Sequence, residues 1–117
     1  MNSKELSKLV IAALEEVKAK DIVELDVRKM TSVTDYMIVA SGTSNRHIKA
    51  LADNVADRAR EAGHRPMGVE GEEGSEWVLL DLNDILVHVM LPRVREFINI
   101  EKLWSLSPNS DSVAKDA

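Results

Sequence analysis

A chain of 117 residues, 44% of them apolar and 30% charged, has the make-up of one folded domain with a real core; it is neither disordered nor fibrous and leaves no room for a second domain. The absence of cysteine excludes disulfides, thiolate zinc sites, iron–sulfur clusters and cysteine nucleophiles together. Fifteen basic against twenty acidic side chains leave a net charge of −5, which argues against unaided binding to a phosphate backbone and favours a basic protein as partner.

Leu6, Leu9, Val10, Ala13, Leu14 and Val17 recur at helical spacing and predict a first helix that buries one face. Asn2 or Ser3 can cap it, and Glu5 stands three after Asn2 as a capping box requires. Lys4, Glu5, Lys8, Glu15, Glu16 and Lys18 interrupt the apolar positions, so no signal-peptide core or bilayer span is expected here, and the expected location is cytoplasmic. A short β-rich run, 21–27, and a continuous apolar segment, 36–40, read as strands joined by a polar loop, 30–35. Ser41-Gly42-Thr43-Ser44 ends the second strand, and the stripe Ile48, Leu51, Ala52, Val55, Ala56 and Ala59 then runs to Gly63, a C′ residue.

A short strand over 65–69 and an acidic loop over 70–74 are expected next. Residues 77–82 and 85–91 then form a hairpin about Asn83-Asp84, a pair that tolerates positive φ. Pro92 starts a third helix with Val94, Phe97 and Ile98 on one side, followed by an apolar segment containing Ile100, Leu103, Trp104 and Leu106. Residues 107–117 lack periodicity and read as a disordered tail behind a single domain, 1–106. The order α-β-β-α-β-β-β-α gives an α/β fold, a mixed sheet flanked by helices.

Few of these segments carry a chemical signature. The turn at residues 41–44 has the form of a generic anion site at a helix start, but it lacks the Lys or glycine spacing of a phosphate loop, and helix capping by Thr43 or Ser44 is the favoured reading. It resembles the Gly-Ser turn of nucleotidyltransferases, whose chemistry also needs paired carboxylates for divalent metal. Pro66-Met67-Gly68-Val69 contains no such pair, and Asp81 and Asp84 would not face one metal across the hairpin. His47, His64 and His88 share no ligand spacing, so no metal site, cofactor or catalytic residue is expected.

The hairpin is more informative. Pairing about Asn83-Asp84 sets Val78, Leu80, Leu82, Ile85, Val87 and Val89 on one face, which is core. The other face pairs Trp77 with Met90, Leu79 with His88 and Asp81 with Leu86, an apolar patch interrupted by polar groups. Either a helix covers it, as in other α/β sheets, or it is an interaction surface with Trp77 as aromatic anchor.

The run 35–47 (DYMIVASGTSNRH), then Val69-Glu70-Gly71, the run 77–82 (WVLLDL), Asp84, Val87-His88-Val89, Arg95-Glu96-Phe97 and Leu103-Trp104 closely resemble the ribosomal silencing factor, or Iojap-like, family over about residues 4–106. Asn83 departs from the Gly that members often carry before the Asp, and both suit the same turn. The resemblance implies a nucleotidyltransferase-like fold without transferase activity, and binding to the large ribosomal subunit through its ribosomal protein numbered fourteen. Such binding would hinder joining of the small subunit under nutrient limitation. It also implies a homodimer in isolation, and a partner surface that includes Trp77, which strand register extends to Leu79, Asp81, His88 and Met90. The alternative is a nucleotide-binding or nucleotidyltransferase-type enzyme acting at the turn at Gly42–Ser44.

Overall fold

In the computed structural model, which describes residues 1–71 and 74–105, Asn2 caps the first helix, α1 (Ser3–Glu16), through a complete capping box with Glu5. The second helix, α2 (Asn45–Glu61), is capped by Ser44 and ends before Gly63, whose φ of 85° is the left-handed conformation that glycine adopts without a Cβ penalty. Five strands, β1 (Lys20–Asp26), β2 (Tyr36–Ser41), β3 (Gly68–Glu70), β4 (Trp77–Asp81) and β5 (Ile85–Met90), form one sheet in the order β1-β2-β5-β4-β3. Only β2 and β5 run parallel. This central pair is the most deeply buried, and β2 reads as the continuous apolar run of a strand covered on both faces.

The helices α1 and α2 pack on one face of the sheet. There Leu6, Val10, Leu14, Ile48, Leu51 and Val55 meet Ile38, Ala40, Val78, Leu80, Val87 and Val89 in the main core. The register of β4 with β5 is the expected one, Val78 opposite Val89 and Leu80 opposite Val87, and all six aliphatic residues assigned to that face are buried. The turn that sets it is the expected two-residue one, with Leu82 N–H donating to the Ile85 carbonyl at 2.9 Å. Asn83 alone has positive φ, at 71°; its N–H donates to the Asp81 carboxylate at 2.8 Å, and Asp84 N–H to the Leu82 carbonyl at 2.9 Å.

Two expectations need correction. The strand placed at 65–69 forms only at Gly68–Glu70, so Glu70 belongs to the sheet and not to the loop. The third helix begins at Pro92 as expected, α3 (Pro92–Ile98), and the apolar segment after it is a further short helix, α4 (Ile100–Ser105), divided from α3 at Asn99, whose φ of 51° ends α3 in the left-handed region. Of the three residues expected on one side of α3, Phe97 does not join the other two. Val94 and Ile98, at i and i+4, turn toward the second face of the sheet, where Val27, Met37, Val39, Met90 and Ile100 form a smaller core. Phe97, one residue short of Ile98, is turned outward and is 90% exposed instead of packing beside them. Arg95 fastens the two helices to the sheet, donating to Ser41 Oγ at 2.9 Å and to the Glu101 carboxylate at 2.6 Å. Leu106 and the tail at 107–117 lie outside the described residues.

Candidate partner-binding surface

The second face of the sheet is divided. The helices α3 and α4 cover its β1–β2 half, and among the described residues the β3–β4 side is left open. The register places Trp77, Leu79 and Asp81 along one side of β4, with Gly68 and Glu70 of β3 beside Asp81 and Leu79. Across β5 their partners on the same face are Met90, His88 and Leu86. Covering helix and open surface thus both exist, on different halves of one face.

The five residues that sequence reasoning assigned to this surface sit at different depths. Trp77 is 37% exposed, and Leu79 and Asp81 are half-buried. Met90 is fully buried in the second core, because it lies opposite Ser41 on the β2 side where α3 and α4 pack; it supports the surface from below and presents nothing to a partner. His88 is 6% exposed and forms the floor beneath the indole. The Trp77 Nε1–H donates to His88 Nδ1 at 3.0 Å, and the two rings lie 5.9 Å apart with a tilt of 32°. An indole nitrogen only donates, so Nδ1 is an acceptor and the imidazole is neutral with its proton on Nε2. Burial pushes the His88 pKa down to about 4, which keeps the ring neutral near pH 7.

The main chain holds Trp77 as well. Leu91 N–H donates to the carbonyl of Glu76 at 2.9 Å, fixing the entry of β4 against the end of β5. Gly71, with φ of 112°, packs so closely that a Cβ there would stand 2.8 Å from the Trp77 carbonyl oxygen. Along the β3–β4 strip Glu70 is exposed beside Leu79, Asp81 ends β4 and Asp84 is exposed in the turn, while Glu76, next to Trp77, is paired with Arg93.

Sequence reasoning missed the Trp77–His88 bond although a signal for it was present. With Trp77 opposite Met90 and Leu79 opposite His88, Trp77 and His88 are diagonal neighbours on one face, within reach of an aromatic side chain.

At the other candidate site, the turn before α2, local bonds account for the residues. Ser44 Oγ accepts from His47 N–H, Thr43 N–H donates to His47 Nδ1 at 2.9 Å, and Gly42 N–H donates to the Met90 carbonyl at 3.1 Å. The other ring nitrogen of His47 reaches the Val17 carbonyl at 2.6 Å, so the side chain ties the turn to the end of α1. Gly42 is required by packing, since a Cβ there would meet Ile48 Cγ1 at 2.8 Å. Two depressions near the start of α2, lined in part by Asn45, Lys49 and Gly74, have volumes of about 100 and 220 Å³, below the usual range for a nucleotide-sized ligand. Among the described residues, no three His, Asp or Glu side chains lie close enough to hold a metal ion.

Comparison with known proteins gives a consistent result. The family model described as "Ribosomal silencing factor during starvation" matches residues 1–117. A Chromobacterium violaceum protein named ribosomal silencing factor RsfS is 55% identical over 104 residues, covering 89% of this chain and 85% of that one. A mouse protein named mitochondrial assembly of ribosomal large subunit protein 1 is 30% identical over 112 residues, covering 93% of this chain and 49% of its own length. A crystal structure of a Chromobacterium violaceum protein superposes with a TM-score of 0.88 at 53% identity, covering 93% of this chain and 92% of the other.

Proposed function

The chain belongs to the ribosomal silencing factor family, and we propose that it binds the large ribosomal subunit through the ribosomal protein numbered fourteen and blocks joining of the small subunit by occupying the joining surface. The observation that carries this reading is the half-exposed Trp77, held by main-chain and side-chain bonds at the open part of a face that is elsewhere covered. A fixed aromatic side chain with an apolar neighbour and a polar rim is the usual make-up of an interface anchor. Leu79 supplies the neighbour, and Glu70 and Asp81 supply an acidic rim that fits a basic protein surface.

The action is steric and needs no catalysis, cofactor or metal. The protein works in the cytoplasm, where ribosomes assemble, and does not read nucleic-acid sequence itself; among the described residues no helix is long and apolar enough to cross a membrane. Isolated copies pair as a homodimer. The nucleotidyltransferase alternative predicts turnover with nucleoside triphosphates and magnesium, which this reading expects to be absent.

Sedimentation tests the proposal directly. The protein should travel with isolated large subunits and not with intact ribosomes, and adding it before the small subunit should lower the yield of joined particles. Equal binding to large subunits and intact ribosomes would overturn steric exclusion.

A further inference from the structure

We propose that His88 is a positioning residue for the Trp77 anchor: its Nδ1 accepts the indole N–H and fixes the ring in its binding rotamer before the partner arrives. The inference rests on the reading of Trp77 as the anchor and adds a cause for its readiness to bind. A free surface tryptophan samples several rotamers and must lose that freedom on association, whereas one already held loses little. Here the holding group is 6% exposed and keeps its acceptor at 3.0 Å. It is itself fixed in β5, opposite Leu79 on β4 and Val39 on β2. The indole therefore rests on a rigid strand and not on another mobile surface side chain. Only an acceptor placed on the Trp77 side of β5 can do this, so the register position is specified and the residue must carry such an acceptor.

The test is a double-mutant cycle with the full chain and purified large subunits. His88→Leu keeps the volume and removes the acceptor, and Trp77→Phe keeps the ring and removes the donor. Each should weaken binding about three- to tenfold, the span expected for one hydrogen bond, and the double variant should be no weaker than the weaker single one. The indole N–H resonance of Trp77, identified by its loss in Trp77→Phe, should move in His88→Leu toward the position of a solvent-exposed indole. His88→Asn, whose Oδ1 lies near the place of Nδ1, should restore part of both the shift and the affinity. If His88→Leu does not fold, His88→Gln, with its acceptor displaced from the Nδ1 position, takes its place in the cycle. An unmoved indole resonance overturns the proposal. So does an additive cycle, or a freed indole with unchanged affinity while Trp77→Ala binds weakly; that last result leaves the anchor standing. Wild-type binding by Trp77→Ala removes the anchor reading and the proposal with it.

Discussion

Truncating Trp77 to alanine should weaken binding in the folded protein as well as lower its stability, and the structure gives the size of each effect. An indole side chain presents up to roughly 240 Å² of surface, and at 37% exposure about 90 Å² remains for a partner to cover. At about 25 cal/mol per Å² that area is worth about 2.2 kcal/mol, a fall in affinity of about fortyfold. Folding is touched as well, because the indole is more than half buried and its loss leaves His88 Nδ1 without its donor. At the same 25 cal/mol per Å² the roughly 150 Å² of indole already covered in the monomer is worth about 3–4 kcal/mol to folding, with water taking the place of the lost donor. Val87→Ala provides the contrast. Val87 is completely buried in the main core, so the cavity costs about 2 kcal/mol of stability, while binding changes only through the folded fraction. Urea melts and titration against large subunits at a temperature where both variants are folded would read the two effects separately. The reasoning fails if Trp77→Ala binds at wild-type strength, or if folded Val87→Ala loses affinity as Trp77→Ala does.

Acid should weaken the fold through His88. Its folded pKa of about 4 lies below the ordinary 6.5, so the unfolded chain binds a proton that the folded chain refuses; stability is complete above 6.5, declines below it and stops declining near 4, by about 3 kcal/mol. His88→Leu should lack this part of the slope in urea melts taken across that range, and an identical slope would assign it elsewhere. Gly71→Ala should destabilise by about 1–3 kcal/mol, since φ of 112° and a contact at 2.8 Å with the Trp77 carbonyl both oppose a Cβ; an unchanged melting temperature would show that the loop yields. Deleting residues 107–117 should leave both melting temperature and ribosome binding unchanged, because the segment has no apolar pattern, and a drop of several degrees would show that it is docked.

Sequence periodicity was informative wherever one element's own residues decide the outcome. The stripes of α1 and α2 are amphipathic enough to define their buried faces alone, and β2 is too uniformly apolar to lie anywhere but in the centre. The Asn83-Asp84 turn fixed the hairpin pairing, and with it the allocation of every side chain between the two faces. Depth on the second face depended instead on where a distant segment lands. Nothing in the spacing around Met90 distinguishes it from Trp77, and the difference arises because α3 and α4 return over one and stop short of the other. Phe97 was misplaced for a related reason: in a helix of seven residues, two half-buried positions, Val94 and Ile98, make up the stripe, and Phe97 between them faces out.

Among the described residues, the position of the open surface follows from the path of α3 and α4 across the sheet. Pro92 begins α3 one residue after Leu91, directly beyond β5, and the left-handed Asn99 turns the chain into α4, which lies against β1 at the far edge of the sheet. The path therefore leads from β5 over β2 to β1 and away from β4 and β3. Arg95 holds it there through Ser41 and Glu101, with a side chain that is nearly buried. Among the described side chains of the two short helices, Val94, Ile98 and Ile100 pack with Val27, Met37, Val39 and Met90. The same geometry sets His88 at the boundary, deep enough to stay neutral and close enough to the open side to hold the indole. A longer covering helix directed toward β3 would bury Trp77 and stabilise the monomer, at the expense of the surface proposed to bind the large subunit.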